Sequence, residues 1–138
     1  MRTAGSSASF IRCRGCSLRH GMAFCNFEGA ARKIIEGMGY PIHLAPGEPL
    51  FHPGEPYRGA FVLCGGEMKL RGMHDGRPFE RVVRGGEVIG LEPILSRRSY
   101  DTAVSAVTPC KVRFIPADPL RRLLRENFDA CIWAMHFI

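Results

Sequence analysis

Glycine-marked corners recur so often through the middle of this chain that neither long helices nor long strands can form there. Pro46-Gly47, Pro53-Gly54, Gly65-Gly66, Asp75-Gly76 and Gly85-Gly86 punctuate residues 40–90. Proline pre-sets φ and glycine accepts positive φ, so each pair lets the backbone turn sharply. Between the corners lie short apolar or alternating runs: Tyr40 to Ala45, Leu50-Phe51, Gly59 to Leu63, Met68-Lys69-Leu70, Phe79 to Val83 and Val88-Ile89. Thr102 to Val107 and Val112 to Ile115 follow as β-branched runs. Short strands with turns spaced roughly 8–12 residues apart predict a closed or double-sheet β architecture of about eight strands. Asp75-Gly76 is a strong hairpin signal.

Helical signals are confined to the ends. Asn26 can cap a helix in which Ala30, Ile34 and Met38 recur at i, i+4 and i+8, with Ala31 and Ile35 beside them and Gly39 at its close. Asp118-Pro119 predicts a second helix, with Asp118 as cap and Leu120, Leu123 and Leu124 on one face. After Asn127, the stripe Phe128, Cys131, Met135, Ile138 steps by three, four and three. That spacing suits a dimer seam or a helix packed on its own domain, and it is too short to choose between them. The expected organisation is a cysteine-containing tail over 1–26, a β domain over 27–127 and the start of a further helix over 128–138, ending in mid-pattern.

Length and charge narrow the functional classes. A chain of 138 residues fits one domain with a real core. The net charge of +6 is carried by scattered residues, paired only at Arg32-Lys33, Arg97-Arg98 and Arg121-Arg122. A solvated surface is expected from this pattern rather than a phosphate-tracking stripe. No run approaches the roughly 18 apolar residues of a membrane span, and Met1 to Arg12 lack the apolar stretch of a secretory signal. A cytoplasmic location and reduced thiols are therefore expected. His43, His52 and His74 fall on different predicted turns, and no His-x-His pair occurs. A cupin-like metal-binding roll, the alternative on this architecture, would need such a pair with a carboxylate. No nucleophile–base pair or P-loop is visible, so no enzyme is expected.

Four segments, in order, resemble the Crp/Fnr family of transcription regulators. They are Pro46-Gly47-Glu48-Pro49-Leu50-Phe51-His52-Pro53-Gly54-Glu55, Phe61-Val62-Leu63-Cys64-Gly65-Gly66-Glu67-Met68-Lys69-Leu70, Gly85-Gly86-Glu87-Val88-Ile89-Gly90 and Phe114-Ile115-Pro116 with the Leu120 helix behind it. The likeness covers residues 13 to 138. It implies a mainly β fold, a double-stranded β-helix or jelly roll of the cyclic-nucleotide-binding type, flanked by an N-terminal helix and C-terminal helices. It also implies a sensor domain whose last helix forms homodimers in full-length relatives and continues into a DNA-reading half. That half is not expected within this chain, nor is a membrane partner.

In members that bind a cyclic nucleotide, a Glu follows the last glycine of the third segment and an Arg-Ser pair opens the next strand. Here Leu91 follows Gly90, with Glu92 one place late. Counting back from Ala106, Tyr100 and Asp101 stand where the Arg-Ser pair belongs, with Arg97 and Arg98 on the preceding loop. An aspartate there would repel a phosphate, so cyclic nucleotide is not expected, a receptor for it remaining an alternative. Gly90-Leu91-Glu92-Pro93-Ile94 resembles the oxygen-sensing Fnr branch. Cys13-Arg14-Gly15-Cys16-Ser17-Leu18-Arg19 resembles the opening of Fnr- and FixK-like proteins. The resemblance implies a [4Fe–4S] cluster on Cys13, Cys16, Cys25 and Cys110, suited to soft thiolates. Two departures stand against it. Cys25 comes late, and Arg113 occupies the place of the fourth ligand, three residues beyond Cys110. A three-cysteine zinc site completed by His20, or ordinary thiols, are the alternatives, and Cys64 and Cys131 are expected to be core or interface residues.

Overall fold

A computed structural model of the chain describes residues 37–96 and 98–135. The tail over 1–26 and all but the close of the first predicted helix lie outside the described residues, as do His20, Arg97 and Ile138. Among the described residues the strands are β1 (Tyr40–Leu44), β2 (Pro49–Phe51), β3 (Gly59–Gly65), β4 (Met68–His74), β5 (Arg77–Val83), β6 (Val88–Ile89), β7 (Ala103–Ala106) and β8 (Cys110–Pro116). The helices are α1 (Pro93–Ser96), α2 (Ala117–Glu126) and α3 (Phe128–Met135). Two four-stranded antiparallel sheets, ordered β1-β8-β3-β6 and β2-β7-β4-β5, face each other as the expected β-roll. None of the described helices is long and apolar enough to cross a membrane.

Three of the corners are the same device. Ala45-Pro46-Gly47-Glu48, His52-Pro53-Gly54-Glu55 and Arg84-Gly85-Gly86-Glu87 each close a turn, the glutamate amide donating to the carbonyl three residues back. The glycines have φ of 86°, 89° and 95°, as the third position of a type II turn demands. In each turn a glutamate carboxylate also accepts from the first residue's amide, at 2.8, 3.0 and 2.7 Å. Each turn then grips one residue of another segment. The glycine amide donates to that residue's carbonyl, and its amide donates to the glutamate carbonyl. The gripped residues are Ala106, Tyr100 and Leu63. The hairpin expected at Asp75-Gly76 is present, with φ of 51° and 75° and a two-residue loop between His74 and Arg77, the positive pair a type I′ turn requires.

β3 shows why an unbroken apolar run belongs in the middle of a sheet. Phe61 and Leu63 point into the roll, where they join Phe51, Met68, Val104, Tyr100 and Val112. Ala60 and Val62 point the other way, to Leu91, Ile94, Leu120, Leu123, Ala130 and Ala134 beneath the helices. A strand covered on both faces has no place for polar alternation. Tyr57 packs against both clusters.

The start of α2 differs from expectation. It begins at Ala117, Pro116 occupies the cap position, and no side-chain cap bond forms. The roll supplies the missing acceptor, since Ala117 N donates to Arg58 O at 2.9 Å. Asp118 pairs instead with Arg121 at 3.0 Å. The start of α3 does have a side-chain cap: Asn127 Oδ1 accepts from Ala130 N at 2.9 Å.

Candidate functional site

The hairpin β4–β5, the β6–α1 connection and the segment Tyr100–Thr102 enclose a cavity of about 210 Å³. It gathers most of the residues singled out above: Gly90, Leu91, Glu92, Tyr100 and Asp101 all line it. Arg98 is exposed and is not among its lining residues. Leu70, Phe79, Arg81, Ile89 and Thr102 also line it and were not anticipated. A signal for several of them existed. A two-residue turn at Asp75-Gly76 fixes the register, placing Leu70 opposite Arg81 and Gly72 opposite Phe79 on one face. A Cβ at Gly72 would stand 2.8 Å from the Phe79 ring and 2.9 Å from Thr102 Cγ2, so the ring lies across the glycine and helps wall the cavity. α1 was not anticipated, because four residues carry too little periodicity to register.

Tyr100 dominates the inner wall. It is 2% exposed. Its ring stacks on Phe51 with centroids 4.0 Å apart and planes 13° apart, and meets Tyr57 at 5.2 Å. Its hydroxyl donates to Gly59 O at 2.7 Å and accepts from Arg58 N and Gly59 N at 3.2 Å each. A phenol buried this deeply needs such partners. Tyr57, by contrast, has a buried hydroxyl with no hydrogen-bond partner among the described residues. Burial, and then the neighbouring Tyr100, push its pKa well above the ordinary value, so it stays neutral. Gly90, with φ of 74°, passes close to the Tyr100 ring, and a Cβ there would stand 3.1 Å from the ring edge.

The charged groups at the rim are few. Glu92 and Asp101 are exposed carboxylates. Among the described residues Arg81 is the cation that lines the cavity, and its guanidinium is held by Glu87 at 2.8 Å. Glu87 also accepts from Arg84 N in its turn, which fixes it in place.

Of the four cysteines named for a cluster, Cys110 lies among the described residues, and Cys13, Cys16 and Cys25 lie outside them. Cys110 is the first residue of β8, opposite Leu44, and is 2% exposed within the roll's core. Its Sγ lies 3.2 Å from both Glu67 O and Thr108 O. Burial pushes the thiol pKa up. Arg113 and Cys110 sit an odd number of residues apart on one strand, with Cys110 and Val112 in the interior cluster and Ile115 in the cluster under the helices. With its side chain closed into the roll's interior, Cys110 does not fit a ligand role. Among the described residues no group of three or more His, Cys, Asp or Glu could hold a metal ion. Cys64 and Cys131 are half-buried. Of the stripe Phe128, Cys131, Met135, Ile138, Phe128 and Met135 are 78% and 62% exposed.

Comparison with known proteins adds the lineage. The Cyclic nucleotide-binding domain family matches residues 41–127, more than half of the chain. A comparison with curated protein sequences gives no match. A provisionally assigned cyclic nucleotide binding protein of Ruegeria pomeroyi DSS-3 superimposes with a TM-score of 0.61 at 26% identity, over 76% of this chain and 49% of that one. The N-terminal domain of a transcriptional regulator from Streptomyces coelicolor A3(2) gives 0.67 at 23% identity, over 86% of each chain. The catabolite activator protein of Thermus thermophilus gives 0.66 at 18% identity, over 81% of this chain and 55% of that one. The chain thus spans about half the length of the Ruegeria protein. The match over residues 41–127, on a chain folded as this roll, settles the lineage: the chain belongs to the cyclic nucleotide-binding domain family.

Proposed function

We propose that this chain is a sensor domain of a Crp/Fnr-type regulator, on the Fnr/FixK side of the family, whose effector cavity does not take a cyclic nucleotide. One observation carries the reading. Tyr100, at the position where cyclic-nucleotide receptors place an arginine, is turned into the core with its hydroxyl committed to Gly59. Among the described residues the cavity offers one lining cation, Arg81. Arg81 is held by Glu87, and Glu92 and Asp101 add negative charge at the rim. A cyclic phosphate would lose its hydration there without gaining a partner. The volume of about 210 Å³ also falls below the roughly 300–1,000 Å³ of common ligand pockets. Titration calorimetry with cAMP and cGMP is the test. No binding heat is expected at millimolar nucleotide, and a micromolar Kd for either would overturn the reading.

The same reading assigns α3 to self-association, as the start of a dimer helix. Ala130 and Ala134 face the domain's own core. Phe128, Ile132 and Met135 lie exposed at i, i+4 and i+7, an apolar stripe of the kind that pairs helices. Phe128→Glu is expected to weaken self-association by at least about tenfold in sedimentation equilibrium, a modest effect for a central aromatic. Unchanged circular dichroism would show that the fold is kept. A parent chain that sediments as a monomer at every concentration would remove this assignment. In such a regulator, DNA would be reached through a further domain, and this domain would supply the signal rather than catalysis.

A further inference from the structure

The cavity and the C-terminal helices are joined through one short piece of backbone, Arg58-Gly59. On one side it carries the Tyr100 hydroxyl, bonded to Arg58 N, Gly59 N and Gly59 O. On the other, Arg58 O accepts from Ala117 N, the first residue of α2. There is no slack between these contacts. A Cβ on Gly59 would lie 2.1 Å from Ile115 O and 3.0 Å from Ala117 N, so this backbone runs directly against the end of β8 and the start of α2. The backbone of Tyr100 is fastened to the same segment: Gly54 N donates to Tyr100 O at 2.8 Å, and Tyr100 N donates to Glu55 O at 3.0 Å. Its ring meanwhile forms the cavity wall beside Gly90. From α2 the path continues by packing, because Leu123, Ala130 and Ala134 share one buried cluster with Leu120.

We infer that Tyr100 is a positioning residue that couples the cavity to α2 and α3, its hydroxyl translating pressure on its ring into displacement of Arg58-Gly59 and so of Ala117. Packed backbone at this spacing cannot absorb a shift of a few tenths of an ångström without passing it on. The inference rests on the reading of the cavity as the effector site. It is nevertheless tested without any ligand, so it can fail while the nucleotide titration succeeds.

The test is residue-resolved amide hydrogen exchange on Tyr100→Phe, which keeps the stacked ring and deletes only the hydroxyl. A buried backbone pair left without its partner is expected to raise exchange at Arg58, Gly59 and the start of α2, read at Ala117 and Leu120, by about tenfold or more. The β4–β5 hairpin, residues 68–83, should exchange as in the parent. Gly90→Ala is the second variant. Its methyl presses on the Tyr100 ring from the cavity side and leaves the hydroxyl intact. It should raise exchange at the same two amides, Ala117 and Leu120. If exchange rises equally over the hairpin and α2 in Tyr100→Phe, the hydroxyl is merely a stabilising bond and the inference fails. It also fails if α2 is unchanged in either folded variant.

Discussion

Gly59→Ala should cost this domain more than about 4 kcal/mol, the range reached only when a core or backbone feature is broken. The glycine at 59 has φ of 156° and stands opposite Pro116 in the β3–β8 ladder. An added methyl would meet Ile115 O at 2.1 Å and Ala117 N at 3.0 Å. Both obstacles are backbone, so no side-chain rotation relieves them. Relief requires β3 to separate from the β8–α2 junction. That gives up the Arg58–Ala117 bond and the seat of the Tyr100 hydroxyl together. Gly47→Ala is the control, with φ of 86° and nothing within 4 Å of its Cβ. It carries only the left-handed backbone penalty of about 1–2 kcal/mol. Urea unfolding of the two variants should separate them clearly. Equal losses would mean that the β8–α2 junction yields easily, and the rigid coupling argued above would fall with it.

The contrast between these two glycines also shows what the sequence could and could not disclose. Corner glycines such as Gly47 and Gly54 sit beside proline and between apolar runs, so their role is local and legible. The expectation of eight short strands rests on that local chemistry, and the roll delivers it. Gly59 looks like the mere start of an apolar run, because what forbids a side chain there is backbone more than fifty residues later. Long-range crowding leaves no mark within a short window.

The candidate site divides in the same way. The placing of Gly90, Leu91, Glu92, Tyr100 and Asp101 around one cavity was reachable by counting residues against a resemblance. The conformation of Tyr100 was not, since nothing near residue 100 says that its hydroxyl bonds to residue 59. The Gly-Glu corners stand in the segments that carry the resemblance, but the work of their carboxylates is not legible there. Glu48, Glu55 and Glu87 each follow a glycine, and each returns its carboxylate to the turn that carries it. In a plain sequence such glutamates pass for surface charge. Cys110 failed to disclose its surroundings for a simpler reason. Whether a thiol at the first residue of a strand faces inward depends on where that strand begins, the least certain part of any assignment.

Phe51→Ala is expected to remove about 3–5 kcal/mol, the usual range for a large aromatic cut from a core. The upper half of that range applies, because the hole cannot close. Phe51 is 1% exposed and ends the three-residue strand β2. Tyr100 stacks on it, and Phe61 lies 5.8 Å from it and 6.4 Å from Tyr100. Tyr100 is the group that would slump into the space. It is held at its hydroxyl by Gly59 and at its backbone by Gly54 and Glu55. A residue fixed at both ends leaves the cavity open, and the stacking energy of about 0.5–1.5 kcal/mol is lost as well. Against a total stability of about 5–15 kcal/mol, such a loss is visible in any unfolding experiment. The midpoint in urea should fall by at least about 1 M, given slopes of about 1–3 kcal/mol per molar. Phe128→Ala, which removes the same ring from a position 78% exposed, should stay within about 0.5 kcal/mol when measured on the monomer. The two anchors also predict a coupling. In the double variant Phe51→Ala/Tyr100→Phe, the freed ring can relax into the space left by Phe51. The combined loss should then be smaller than the sum of the single losses, by about 0.5–3 kcal/mol for residues in contact. Strict additivity would show that Tyr100 was never held in place by its hydroxyl, and that the wall of this cavity is softer than its bonds suggest.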